Sequence, residues 1–170
     1  MPLVRVPATT ANLGPGFDTL GMALELYDEI LVEEAASLDI TVTGEGENTI
    51  PRGAENIVYR AVRTVYERVG HPQKTFRLHM HNNIPVARGL GSSAAALVGG
   101  LLGANAVLGN PLDVSELIEI ATAMEGHPDN VAPAILGGLV VAVVNNQKVY
   151  YQRLEPPTGL QAVVAIPQFT

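Results

Sequence analysis

Apolar and polar positions along the chain change period several times, and each change predicts an element. Residues 3–8 read as a short strand. Residues 24–34 alternate apolar and polar side chains and predict a second strand, with 38–43 a third. Residues 44–53 are rich in Gly and polar types and predict a loop. In 56–69 the apolar residues are Ile57, Val58, Ala61, Val62, Val65, Tyr66 and Val69, which is helical spacing. Gly70 and Pro72 close that helix. Alternation returns in 75–81 and predicts a strand. A Gly-rich stretch follows, and then a small-residue helix over 92–108. A third helix, capped by Asp113 or Ser115, is expected to run to about Met124, and 129–136 predicts a short fourth. Residues 139–144, 149–154 and 160–166 read as strands, with Asn145-Asn146 turning between the first two. Strands grouped around a helical middle make the class α+β.

The richest chemistry lies in Pro85-Val86-Ala87-Arg88-Gly89-Leu90-Gly91-Ser92-Ser93-Ala94-Ala95, which leads from a strand into a helix. Glycine lets backbone N–H groups approach an anion, and a helix N-terminus adds unpaired donors and the positive end of a dipole. Together they make a phosphate cradle. It is not the usual P-loop, because no Gly-Lys-Ser/Thr follows the glycines. A branched side chain at Gly91 is expected to block phosphate while leaving the fold largely intact. Arg88 inside the loop suits phosphate or solvent equally.

This loop resembles the ATP-phosphate loop of the GHMP kinases, the superfamily of galactokinase, homoserine kinase and mevalonate kinase. Two further segments resemble homoserine kinases. They are Pro7-Ala8-Thr9-Thr10-Ala11-Asn12-Leu13-Gly14-Pro15-Gly16-Phe17-Asp18 and Gly126-His127-Pro128-Asp129-Asn130-Val131-Ala132-Pro133-Ala134. The resemblance implies the GHMP amino-terminal lobe, a two-layer α/β sandwich, over residues 1–170. It also implies that the carboxy-terminal lobe is missing, with a last strand from about residue 160 beginning it. It implies transfer of phosphate from ATP to L-homoserine, giving O-phospho-L-homoserine for threonine synthesis, with Mg2+ as cofactor. The alternatives are another GHMP small-molecule kinase or a non-catalytic nucleotide-binding fragment.

Carried over residue by residue, the resemblance puts Asp18 on the homoserine amino group and Asn12 near the reacting hydroxyl, with Asn130 completing that pocket. Asn12 and Asn130 are thus the catalytic candidates. It puts Asn56 beside the adenine, although a helix-start residue explains Asn56 as well. It puts Mg2+ on Ser92 and on Glu119, with Glu125 as the alternative. Those two carboxylates are six residues apart, about 120° around a regular helix, so only one can face the nucleotide. His127 is read as orienting its loop, and His71, His79 and His81 as ordinary strand or surface residues.

Bulk properties narrow the partners. The net charge is −7 over 170 residues with no basic run, against nucleic acid and anionic membranes. There is no cysteine, hence no disulfide framework or thiolate metal site. With 47% hydrophobic residues the chain is globular. The apolar run 94–108 is too short and Gly-rich to span a bilayer. A cytoplasmic location is the expectation, and a homodimer is left open.

Overall fold

In the computed structural model, which describes residues 2–72 and 74–165, the elements run β1 (Leu3–Ala11), β2 (Leu20–Ala35), β3 (Asp39–Gly44), α1 (Ile57–Arg68), β4 (Thr75–Asn82), α2 (Ser92–Val107), α3 (Val114–Glu125), α4 (Pro128–Leu136), β5 (Leu139–Asn145) and β6 (Lys148–Leu154). The strands form one sheet in the order β3-β4-β2-β5-β6, with β1 paired antiparallel to β2. Among the described strands only β3 and β4 pair in parallel, and α1 makes the crossover between them. β2 is long enough to pair with β4 through Glu29–Ala35 and with β5 through Leu20–Met22.

Strand alternation sets the two layers. In β4, Phe76, Leu78 and Met80 are buried, while Arg77, His79 and His81 are exposed. The same phase buries Ile40 and Val42 in β3 and Ile30 and Val32 in β2. These side chains pack against Val58, Ala61, Val62 and Val65 of α1 and against α2. α2 is buried nearly all round, since it lies between the sheet and the other helices. Its glycines permit that approach: a Cβ at Gly100 would sit 2.7 Å from the Val58 carbonyl oxygen. Among the described residues no helix is long and apolar enough to cross a membrane.

Several boundaries differ from the sequence expectation. Residues 160–165 form no strand, and 166 onward lies outside the described residues, so the expected last strand from about 160 does not appear where it can be seen. β1 continues past Ala8 to Ala11, because Thr9–Ala11 find partners in Ala23–Gly21 after a register shift. The β5–β6 turn falls one residue later than expected, on Asn146 and Gln147, both at positive φ as a two-residue hairpin requires.

One polar link ties α1 to the sheet. The Tyr66 hydroxyl donates to Glu34 Oε1 at 2.8 Å, with Lys74 Nζ 3.5 Å from the other carboxylate oxygen. The Tyr66 bond, aided by Lys74, holds the Glu34 carboxyl below its ordinary value of 4.5 against the opposing effect of burial. A depressed acid stabilises the fold above its unfolded value and loses that contribution as pH falls through the folded one. Tyr66→Phe should therefore melt at lower urea than the parent at pH 7, and the gap should narrow as pH drops below 4.5. A gap that stays constant down to that range would remove the Tyr66–Glu34 bond as its source.

Candidate functional site

The candidate site begins where β4 leaves the sheet. The backbone N–H groups of Asn83 and Ile84 donate to Asp28 Oδ1 at 2.7 and 2.9 Å. Asp28 is 1% exposed, and burial pushes its carboxyl above the ordinary range although the two backbone donors pull the other way. The Asn83 amide donates to the Tyr27 carbonyl at 2.8 Å, and the Asn82 amide to the Glu45 carbonyl at 3.1 Å. Beyond this clasp, Ala87, Gly89 and Gly91 all take positive φ. Leu90 is held by its carbonyl, which accepts the Thr9 N–H at 3.0 Å. Gly91 is the N-cap of α2 and carries no side chain to satisfy the first turn, so those donors face outward.

The loop forms one wall of a cleft of ≈ 480 Å³. Val86 through Ser93 line it together with Ala96, and the opposite wall is Ile50, Pro51, Glu55, Ile57 and Met80. One end is therefore mostly apolar, with Glu55 as its charged member, and the other is built of loop backbone and two hydroxyls. Of the eleven loop residues singled out in the sequence, Pro85 is half-buried at the start of the loop, and Ala94 and Ala95 are buried in the core.

Asn56 does not present its amide to the cleft. It is buried, it caps α1 by accepting from Val58 N–H (2.9 Å) and Tyr59 N–H (3.3 Å), and it donates to the Pro51 carbonyl at 2.7 Å. Asn56 is the N-cap of α1, and its amide also lies 3.7 Å from Met80 Sδ. Its effect on the cleft is indirect, through Pro51 in the far wall.

The two carboxylates of α3 separate as helical geometry demands, and they stand in different places. Glu119 lines a different cleft with Arg68, Glu116 and Gln147. Glu125, at the end of α3, brings Oε2 to 3.4 Å from Ser93 Oγ, beside the loop. Of the two, Glu125 is the carboxylate beside the Gly-rich loop. Among the described residues no three His, Asp or Glu side chains converge into a metal site of their own.

Asn130 reaches the loop from α4. Its Oδ1 accepts the Thr9 hydroxyl at 2.8 Å, and a Cβ built on Gly91 would lie 2.0 Å from Thr9 Oγ1 and 3.3 Å from Asn130 Oδ1. A branched residue at Gly91 would therefore strike the protein itself, so the expectation of an intact fold is corrected. Asp129 sits between its neighbours: Oδ1 is 2.6 Å from His127 Nδ1 and accepts the Asn130 amide at 3.3 Å, and Oδ2 is buried with no partner among the described residues. Asn12 and Asp18 form their own turn in the exposed β1–β2 loop, where Asn12 Oδ1 accepts the Asp18 N–H at 3.1 Å. Both take positive φ, a conformation that Asn and Asp tolerate better than most residues. The Asp18 side chain is exposed.

Sequence reasoning missed Thr9 and Asp28. Asp28 left a signal, since it falls in the buried phase of β2 with Ile30 and Val32, where a charge needs a reason. Thr9→Val would keep the shape and remove the donor to the half-buried Asn130 carbonyl oxygen, which should cost about 0.5–1.5 kcal/mol, the net value of one hydrogen bond. A melting curve unchanged within about 0.5 kcal/mol, the usual range for a neutral surface change, would show that link to be unimportant.

Residues 56–138 match the family model described as GHMP kinases N terminal domain. The chain is 67% identical over 170 residues to a homoserine kinase of Moorella thermoacetica, covering all of this chain and 57% of the relative. It is 52% identical to a homoserine kinase of Carboxydothermus hydrogenoformans, covering 99% of this chain and 56% of that one. Among solved structures, a homoserine kinase from Cytophaga hutchinsonii superposes with a TM-score of 0.78 at 32% identity, over 91% of this chain and 52% of that one. The chain thus spans little more than half the length of the curated relatives it matches.

Proposed function

We propose, for a chain that has the fold of the GHMP kinase N-terminal domain and resembles homoserine kinases along its whole length, that it is the nucleotide-binding part of an ATP-dependent homoserine kinase. The reaction is attack of the L-homoserine hydroxyl on the γ-phosphate of ATP, with ADP leaving and O-phospho-L-homoserine formed for threonine synthesis. The reading includes a soluble, cytoplasmic enzyme. The observation that carries it is the cleft itself, in which an apolar slot suited to a purine opens onto an uncapped helix N-terminus and a loop with three left-handed residues. Phosphoryl transfer depends on positioning and charge neutralisation more than on covalent chemistry by the protein. The loop donors hold the phosphates. Asn130, fixed by Thr9, stands next to Gly91 and is the group that orients the attacking hydroxyl, with Asn12 on the neighbouring loop. Asp18 takes the ammonium.

Magnesium in phosphoryl-transfer sites is bound through one or two carboxylates plus substrate phosphates, not by an all-protein cage. The donor set here fits: a carboxylate at Glu125 beside Ser93, and the Ser92 hydroxyl at the helix start, all hard oxygen ligands. Glu125 and Ser92 would hold the ion, whose positive charge would offset the charge developing on the phosphate.

The test combines calorimetry and a coupled ADP-release assay. The chain should bind MgATP with Kd in the ordinary substrate range of about 1 μM to 1 mM. Glu125→Gln should weaken the magnesium-dependent part of that binding at least tenfold, about the value of one lost charge-assisted contact, whereas Glu119→Gln should leave it unchanged. Absence of nucleotide binding at millimolar ATP would overturn the reading. Activity on a different alcohol but not on homoserine would move the protein to another acceptor within the same kinase class.

A further inference from the structure

We propose that Asp28 is a positioning residue for the nucleotide loop: its buried carboxylate holds the two residues from which the loop departs, and so sets where Gly89 and Gly91 stand. This rests on the reading of the cleft as a nucleotide site. The ladder between β2 and β4 has its last pair at Glu29 and His81 on this side. Past it the chain leaves the sheet, and the N–H groups of Asn83 and Ile84 have no strand to pair with. Pro85 has no N–H at all. Asp28, one position beyond the ladder, takes both donors on a single oxygen at 2.7 and 2.9 Å.

Burying a carboxylate is expensive without strong hydrogen bonds, and an apolar residue in phase with Ile30 and Val32 would have served the core alone. The clasp is reciprocal, because the Asn83 amide reaches back to the carbonyl of Tyr27, the neighbour of Asp28. At its far end the loop is held by the Thr9–Leu90 backbone bond. The intervening residues carry no regular secondary structure, so their positions follow from these two anchors. Losing one anchor frees the loop to adopt arrangements in which the donors diverge, and ordering it again must be repaid on binding.

The experiment measures MgATP affinity by calorimetry for the parent, Asp28→Ala, Asp28→Asn and Asp28→Glu, with a melting curve for each and hydrogen exchange over residues 83–91. Asp28→Ala should weaken nucleotide binding about tenfold or more and speed exchange at Asn83 and Ile84 beyond the change in α1, about what two lost hydrogen bonds supply. Asp28→Asn keeps an acceptor in place and should bind within about threefold of the parent. Asp28→Glu keeps the charge but displaces the acceptor by a methylene, and should lose affinity about fivefold or more. If Asp28→Ala does not fold, the contrast between Asn and Glu decides. Equal affinity in all folded variants, or failure of Asn to restore what Ala or Glu loses, overturns the assignment. A parent that binds no nucleotide overturns the cleft reading instead, and the two failures are thereby distinct.

Discussion

Gly91→Val will abolish nucleotide binding and destabilise the fold together. At φ +69° a β-branched residue is strained, by about 1–2 kcal/mol or more. Its Cβ would also fall 2.0 Å from Thr9 Oγ1, so Thr9 must rotate away from Asn130, or β1 or the start of α2 must shift. Overpacking of that kind costs about 1–3 kcal/mol, giving a total of about 3 kcal/mol or more. That is a large part of the stability of an ordinary domain. The same shift breaks the Thr9–Asn130 bond and turns the α2 donors out of line, so ATP affinity should fall at least about a hundredfold, in line with misplaced groups elsewhere. Gly89→Ala is the control. It shares positive φ, but a Cβ there meets no protein atom within 4 Å, so any loss of binding beyond a modest loss of stability comes from the cleft. Urea melts and calorimetry on both variants would refute the argument if Gly91→Val melted like the parent and still bound ATP.

Gly21→Ala should be among the most damaging single-methyl additions in the chain. Gly21 lies in β2 between Ala11 and Val140, and its backbone does not require glycine. What requires it is α4, since a Cβ at Gly21 would sit 1.7 Å from the Asp129 carbonyl oxygen and 2.9 Å from Pro133 Cγ. A backbone carbonyl in a helix cannot swing aside as a side chain can. α4 must therefore lift, carrying His127, Asp129 and Asn130 away from the loop. The expected loss is about 3 kcal/mol, at the upper end for overpacking, with faster hydrogen exchange along α4. Gly14→Ala, where φ is +57° and nothing lies within 4 Å, should cost no more than about 1 kcal/mol. A Gly21→Ala protein as stable as Gly14→Ala would mean that α4 accommodates the methyl freely, and that the close approach has no consequence.

Much of this protein was legible in its sequence because the deciding interactions are local. The spacing of Val58, Ala61, Val62 and Val65 follows from the helix period, and the alternation of Phe76, Leu78 and Met80 from the pleat, so α1 and β4 could be drawn without a third dimension. The Gly-rich stretch from 85 to 95 announced a strand, a loop of backbone donors and a helix, and that is the order found. The pair Asn56 and Asp113 marked helix starts, since both side chains cap within three residues of themselves.

What only the tertiary structure decided depends on groups far apart in the chain. Whether Glu119 or Glu125 faces the loop is set by how α3 is rotated against α2, and no local pattern reports that angle. Thr9 and Asn130 meet across 121 positions, and Asp28 and Ile84 across 56, so no one window of sequence shows either pairing, although the buried phase of β2 marks Asp28 itself. Gly21 looks like a weak point in a strand until α4 is laid over it. Residues 160–165 have the composition of a strand but find no neighbour to pair with among the described residues, and a strand exists only where another backbone completes its hydrogen bonds. The sequence by itself therefore determined most of the elements and the succession of strand, Gly-rich loop and helix. The fold determined which side chains stand beside it, because that is a matter of distance in space.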